Sequence, residues 1–115
     1  MKNNLYDRSD ANALVPLLNS IIAEIQERGR SLERLERRID TLSSRPAKRR
    51  GDPQDLHNLV ADAAVQRREV RLAKEELLKL GCSIVGTDPI TVRIPGQRGN
   101  ARRSFVYRSG DPVLK

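Results

Sequence analysis

The sequence predicts a mainly helical α+β protein, in which a long antiparallel hairpin of two helices precedes a small C-terminal antiparallel β-unit. Apolar residues recur at steps of three and four over two stretches, residues 14–42 and 56–80. Between these stretches, residues 43–53 contain two prolines, one glycine and four basic residues. After Gly81 the apolar residues alternate with polar ones, which is typical of strands rather than helices.

The first helix is predicted over about residues 10–42. Its seam follows a heptad pattern in which Arg28 is the one polar position. Ser9 or Asp10 is expected to cap the first turn by accepting a hydrogen bond from a free backbone N–H. Pro16 either marks the true first turn or kinks the helix, because proline has no N–H to donate. The apolar seam positions are Leu14, Leu18, Ile21, Ile25, Leu32, Leu35, Ile39 and Leu42.

Residues 43–52 are predicted to form a basic loop, and a second helix is predicted over residues 53–80. Asp52 is a suitable cap before Pro53, whose missing N–H costs nothing in the first turn of a helix. Gly81 suits a left-handed helix end. The second seam consists of Leu56, Leu59, Ala63, Gln66, Val70, Ala73, Leu77 and Leu80.

Two long seams joined by a short loop predict antiparallel packing of the helices as an αα-hairpin. The expected register opposes Leu42 to Leu56 and brings Arg28 and Gln66 into adjacent layers. Arg28 then either packs its stem and extends its guanidinium into solvent, or forms a polar layer with Gln66 and Glu69 that defines the register.

Residues 81–115 are predicted to form a small β-hairpin segment. Asp88-Pro89 is a turn signal, and residues 95–103 are expected to form a flexible basic loop between two strands. The predicted strands lie at Ile84-Val85, at Ile90 to Ile94 and at Phe105 to Tyr107.

The net charge of +7 comes entirely from the loop and the C-terminal segment. Residues 1–42 and 54–80 each contain equal numbers of basic and acidic side chains, whereas residues 43–53 have a net charge of +3 and residues 81–115 of +4. Clustered basic side chains can bind phosphates, and Phe105 and Tyr107 are candidates for stacking on bases. The alternative is a solvated loop and a charged sheet edge that prevents aggregation. The candidate phosphate contacts are Arg45, Lys48, Arg49, Arg50, Arg98, Arg102 and Arg103.

No catalytic, cofactor or metal site is predicted. The chain has one His and one Cys, and we find no nucleophile paired with a base, no phosphate loop and no spaced set of metal ligands. His57 is expected to be an exposed residue near a helix start, and Cys82 is expected to pack as a small apolar side chain. The single cysteine, the absence of an apolar signal segment and the lack of a membrane-length apolar run favour a cytoplasmic protein.

Four segments resemble a known family. They are residues 10–18 (Asp-Ala-Asn-Ala-Leu-Val-Pro-Leu-Leu), Leu80-Gly81, Val92-Arg93-Ile94-Pro95 and Tyr107-Arg108-Ser109-Gly110-Asp111. These segments are similar to the domain of unknown function 2203 family, a group of uncharacterised bacterial proteins. The chain differs from the family pattern in having Arg93 at an acidic position, in lacking a Cys-Trp pair near Val106-Tyr107 and in lacking a Trp-His ending. The resemblance implies the hairpin architecture and supplies no activity.

The function that these features favour is a non-enzymatic structural or protein-interaction module that self-associates. Val65 and Leu72 are the candidate self-association residues, because they lie off the seam and one heptad apart. A second hairpin packed against them would complete a four-helix bundle as a homodimer, and a different protein partner is also possible. The alternative is a basic nucleic-acid-associated protein that binds phosphates through the 43–53 loop and the C-terminal arginines.

Overall fold

A computed structural model describes residues 5–46, 49–111 and 114 of the chain. Within this part the chain forms two helices, α1 (Arg8–Ser43) and α2 (Asp52–Lys79), followed by five strands. The strands are β1 (Ser83–Thr87), β2 (Ile90–Ile94), β3 (Gln97–Arg98), β4 (Ala101–Arg102) and β5 (Phe105–Arg108). The predicted α+β class is confirmed, and each helix begins and ends within two residues of its predicted position. In the described residues, no helix contains an apolar stretch long enough to cross a membrane.

Helix α1 is capped by Asp7, the residue immediately before its first turn. The Asp7 carboxylate accepts a hydrogen bond from the Asp10 N–H at 2.7 Å, and the Asp7 carbonyl accepts one from the Ala11 N–H at 2.9 Å. This is the N-cap arrangement, in which a carboxylate satisfies a free donor of the first turn. The prediction that Ser9 or Asp10 caps the helix was therefore wrong, because both residues lie inside the first turn.

Pro16 lies inside α1 and does not mark its first turn, so that alternative was wrong. Since proline has no N–H, the Asn12 carbonyl receives no helical hydrogen bond from it. The Pro16 ring is exposed, whereas Leu18 is fully buried. The proline therefore occupies the solvent side of the helix, where water can satisfy the Asn12 carbonyl.

Helix α2 ends in a Schellman motif at Gly81. The Cys82 N–H donates to the Leu77 carbonyl at 2.9 Å, and the Gly81 N–H donates to the Leu78 carbonyl at 2.9 Å. Gly81 has a φ of +82°, a left-handed conformation that glycine adopts without steric cost. The predicted glycine end of the second helix is confirmed.

Strands β1, β2 and β5 form an antiparallel sheet in the order β1-β2-β5. The predicted turn at Asp88-Pro89 connects β1 to β2 and contains a cis peptide bond. Val92 of β2 pairs with Tyr107 of β5, and both side chains are buried. Arg93 and Arg108, which alternate with them, are exposed. One face of the sheet therefore contributes to a core and the other faces solvent.

Residues 95–103, predicted as a loop, contain an additional antiparallel ladder between β3 and β4, which meet at a turn of Gly99 and Asn100. The N-terminal segment pairs with the start of this ladder. The Tyr6 N–H donates to the Pro95 carbonyl at 3.0 Å, and the Gln97 N–H donates to the Tyr6 carbonyl at 2.9 Å. These backbone hydrogen bonds give the segment more structure than the sequence analysis anticipated.

The chain divides into two compact units, to which both helices contribute residues. The unit that we call the sheet unit combines residues 1–23 with residues 73–115. The unit that we call the hairpin unit is Glu24–Leu72.

The sheet unit has an extensive apolar core. Two long-range hydrogen bonds satisfy aromatic hydroxyls at its border, from Tyr6 Oη to the Leu80 carbonyl at 2.8 Å and from Tyr107 Oη to Asn19 Oδ1 at 2.5 Å. Such bonds allow tyrosines to bury their rings without leaving a polar group unsatisfied. The buried apolar residues are Ala11, Leu18, Ile21, Ile22, Ala73, Leu77, Cys82, Ile90, Val92, Ile94, Phe105, Tyr107 and Leu114.

The hairpin unit has a much thinner core. Its two helical segments run antiparallel, since Arg28 contacts Gln66 while Leu42 and Leu56 line the same small cavity. Both contacts agree with the predicted register. The buried apolar residues in the described part of this unit are Ile25, Leu59 and Ala63. The partly exposed seam residues are Leu32, Leu35, Ile39, Leu42, Leu56 and Val70.

Candidate functional sites

An ion pair between Arg45 and Asp52 organises the end of the hairpin unit where α1 leads to α2. Arg45 Nη1 donates to both Asp52 carboxylate oxygens, at 3.1 and 3.0 Å, and the Arg49 N–H donates to Asp52 Oδ2 at 2.9 Å. Asp52 is only 6% exposed. The Arg49 hydrogen bond, assisted by the charge of Arg45, lowers the pKa of the Asp52 carboxyl below its ordinary value of 3.8.

The prediction that Asp52 caps α2 from the position before the helix was wrong. Asp52 is the first residue of α2, so the helix begins one residue earlier than predicted. The Gly51 carbonyl accepts the first helical hydrogen bond, from the Asp55 N–H at 3.0 Å. In the described residues, the Asp52 carboxylate accepts hydrogen bonds from residues of the preceding loop. The carboxylate therefore joins the loop to the start of the helix.

An open groove of about 470 Å³ lies beside this ion pair. We call it the arginine groove, and its charged lining consists of Arg38, Arg45, Arg49, Arg50, Asp52 and Asp55. The structure thus brings together three of the predicted phosphate contacts, while the fourth from the same loop, Lys48, lies outside the described residues.

Arg38 was not among the phosphate contacts predicted from the sequence. A signal for it exists, because Arg38 is four residues before Leu42 and therefore lies one helical turn from the end of the seam. Helical spacing thus places Arg38 beside any site formed by the loop.

The C-terminal arginines lie in the sheet unit, around the β3–β4 ladder. The Arg98 guanidinium lies 4.7 Å from the centre of the Phe105 ring, and that of Arg8 lies 5.4 Å from it. Arg102 and Arg103 are exposed, and the Arg103 N–H donates to the Gly96 carbonyl at 3.0 Å. Arg98 therefore stacks on a protein ring as a cation–π contact.

The hypothesis that Phe105 and Tyr107 stack on nucleic-acid bases was wrong. Phe105 is 0% exposed and Tyr107 is 2% exposed. Both belong to β5, where their side chains are on the buried face of the sheet. In a strand where apolar and polar residues alternate, an aromatic residue usually packs in the core, because burial of its large apolar ring stabilises the fold.

The polar position of the seam combines solvent access with a contact to Gln66. Arg28 Nε donates to Glu24 Oε1 at 2.9 Å, and Arg28 Nη1 donates to Gln66 Oε1 at 3.4 Å. The hydrogen bond to Glu24 holds the pKa of the Arg28 guanidinium above its usual value, and the charge of Glu69 adds to this effect. The side chain is 38% exposed, so the guanidinium reaches solvent while it joins the two helices.

Val65 and Leu72 are exposed on the hairpin unit, by 54% and 38% of their surfaces. A second open groove, of about 410 Å³, lies beside Val65. We call the surface formed by Val65, Leu72 and this groove the Val65–Leu72 edge. Besides Val65, the groove is lined by Ser31, Arg34, Leu35, Arg38, Asp62 and Gln66.

Neither of the two residues with the side chains most suited to catalysis lines these grooves. Burial raises the pKa of the Cys82 thiol to about 11, which keeps it protonated at neutral pH. His57 is exposed on α2. Among the residues that the structure describes, no three His, Cys, Asp or Glu side chains are grouped so that they could hold a metal ion.

The protein is therefore a small α+β protein with a helical hairpin, a three-stranded antiparallel sheet and two open grooves. The chain belongs to the family described as "Uncharacterized conserved protein (DUF2203)", whose model matches residues 4–115. The resemblance inferred from the sequence is thereby confirmed over nearly the whole chain. No curated protein and no solved structure matched the chain.

Proposed function

We propose that this protein is a non-enzymatic interaction module that self-associates as a homodimer through the Val65–Leu72 edge. The observation behind the proposal is that Val65 and Leu72 are exposed on the one unit whose helical seam is only partly buried. Apolar residues on a hairpin that lacks a third layer are commonly covered by a second hairpin.

Charge favours a second copy of the chain as the occupant of this edge. The α1 side of the groove provides Arg34 and Arg38, and the α2 side provides Asp62. In a two-fold symmetric dimer the same surface meets itself, so a surface with both signs of charge can be self-complementary. A partner with a single sign of charge would repel one side of the groove.

The expected affinity is modest. Complete burial of a Val or Leu side chain contributes about 1.5–3 kcal/mol, and these two are already half buried, whereas association costs about 4–15 kcal/mol. The four such side chains of a homodimer alone therefore do not hold it together. The partly exposed seam residues beside the groove, such as Leu35, must be covered as well. We expect dissociation at micromolar concentration, which corresponds to about 8 kcal/mol.

Sedimentation equilibrium over concentrations below and above the micromolar range tests this proposal. The average mass of the unmodified chain should rise with concentration from the 13.0 kDa of the monomer towards twice that value. Leu72→Glu should give the monomer, because it places a charge in the apolar contact. The matched control is Leu78→Glu, a substitution of the same kind at a 66% exposed position of the sheet unit, and it should remain dimeric. A monomer at every concentration, or equal dissociation by both variants, would show that the proposal is wrong.

The absence of enzymatic activity and a cytoplasmic location are further parts of the proposal. Support for the first comes from the protonated, buried Cys82 thiol and from the exposed position of His57. Support for the second comes from the single cysteine, which suits a reducing compartment. The alternative of a nucleic-acid-associated protein, which rests on the basic residues, has less support because the two aromatic side chains that were candidates for base stacking are buried.

A further inference from the structure

We infer that the arginine groove binds a small anion with two or more phosphate groups. The arginine groove is a different groove from the one beside Val65, although Arg38 lines both, and the inference does not depend on self-association. It rests on the charge, the rigidity and the size of the groove.

The charges in the groove are not balanced. Arg45 is paired with the nearly buried Asp52, so these two charges compensate each other. The remaining guanidiniums, those of Arg38, Arg49 and Arg50, share the groove with one other carboxylate, that of Asp55. Within the residues that the structure describes, none of these three guanidiniums has an ion-pair partner. The net charge of about +2 therefore attracts a multivalent anion in particular.

The groove is held in place before a ligand arrives. Asp52 accepts from the Arg49 backbone N–H and from the Arg45 guanidinium, and this joins the loop to the first turn of α2. Arg38 projects from α1, a regular helix. Ligand binding then costs less ordering entropy than binding by an unstructured basic loop would cost.

The chemistry of the lining and the size of the groove favour a small phosphate ligand. Each guanidinium presents a planar fork of N–H donors that matches two oxygens of a phosphate group. The groove volume of about 470 Å³ is in the range of small-molecule sites. Nucleic acid is less favoured, because single-stranded recognition relies on stacking, and of the three aromatic residues in the chain two are buried and Tyr6 is partly buried.

Titration calorimetry with pyrophosphate tests the inference. We expect saturable binding of one pyrophosphate per chain at millimolar concentration or below. Arg38→Gln and Arg50→Gln should each weaken the binding about tenfold, the loss expected for one charge-assisted hydrogen bond. The matched control is Arg37→Gln, which changes the net charge equally but removes an arginine paired with Glu33 outside the groove. This control should change the affinity less than twofold.

Three outcomes would overturn the inference. The first is the absence of saturable binding at millimolar pyrophosphate. The second is an equal loss of affinity in Arg37→Gln and Arg38→Gln, which would indicate attraction to net charge alone. The third concerns the ligand class. If a short DNA duplex bound through Arg38 and Arg50 and excess pyrophosphate failed to displace it, the groove would be assigned to nucleic acid. A steep loss of that duplex binding with salt would accompany this outcome, at about 0.9 log units per phosphate neutralised.

Discussion

The same heptad seam is buried to different depths in the two units of the molecule. In the sheet unit, Leu18 is 0% exposed and Leu77 is 1% exposed. In the hairpin unit, Leu35 and Ile39 occupy equivalent seam positions and remain partly exposed. The difference follows from the number of layers, because the sheet unit adds a sheet to its helical segments whereas the hairpin unit has helices alone. A heptad pattern thus specifies which side of a helix packs, and a third layer completes the burial.

The polar contacts of the hairpin unit do not compensate for its thin core. The ion pairs Arg37–Glu33 and Arg67–Glu36 join side chains that are more than half exposed, at 3.4 and 3.8 Å. Exposed pairs of this kind contribute about 0–1 kcal/mol because solvent screens them. The partly buried pair of Arg45 and Asp52 is the stronger constraint, and it acts on the connection between the helices.

The largest expected contrast is between core substitutions in the two units. Phe105→Ala should lower the free energy of unfolding by about 3–5 kcal/mol, since the ring is completely buried and its removal leaves a cavity. Leu35→Ala should cost about 1–2 kcal/mol, because the partly exposed side chain loses less contact and leaves no closed cavity. Urea unfolding monitored by circular dichroism measures both values. Equal losses would contradict the comparison.

A second contrast uses one methyl group added at a glycine of each unit. In the sheet unit, a Cβ at Gly96 would overlap the Arg103 carbonyl oxygen and the edge of the Phe105 ring. Gly96→Ala should therefore destabilise the fold by about 1–3 kcal/mol or more. In the hairpin unit, a Cβ at Gly29 would meet nothing within 4 Å.

Gly29→Ala should accordingly stabilise the protein by about 0.5–1 kcal/mol, because alanine is the better residue inside a helix. Thermal unfolding of the two variants beside the unmodified chain measures the opposite signs. If Gly96→Ala melted at the same temperature as the unmodified chain, the close packing of the sheet unit would be disproved.

The helices were the most predictable part of the fold. Their seams repeat over several heptads, and Asp52-Pro53 and Gly81 are local signals that act within one turn. The N-terminal cap was mispredicted because Asp7, Ser9 and Asp10 are all good caps, and the choice depends on where the backbone of Tyr6 pairs with Pro95 and Gln97. Local preferences do not contain that tertiary information.

The candidate sites were less predictable than the helices. The Gly99-Asn100 pair is a recognisable two-residue turn signal, so the β3–β4 ladder could have been inferred from the sequence. The roles of the arginines could not, because Arg45 is neutralised by a residue seven positions away and Arg98 stacks on Phe105. Charge patterns show where basic residues cluster, whereas only the folded geometry shows which of them are already engaged by the protein.

The smallest expected effect is a loss of local stability in the hairpin unit at acid pH. The pKa of Asp52 is lowered in the folded protein, because its carboxylate accepts the Arg49 N–H and faces Arg45. The carboxylate form therefore stabilises the hairpin unit fully at pH values above the ordinary pKa of 3.8, and this contribution is lost as the pH falls through the lower pKa of the folded state.

Amide hydrogen exchange at residues 49–55, measured from neutral pH to below 3.8 and corrected for the intrinsic exchange rate, should show protection that declines in acid. Asp52→Asn should expose these amides already at neutral pH and leave little further acid dependence, whereas Asp62→Asn, at an exposed position of the same helix, should retain the behaviour of the unmodified chain. Protection that stays constant in acid for the unmodified chain would show that the Asp52 carboxylate does not hold the loop, and the rigidity argued for the arginine groove would then lose its basis.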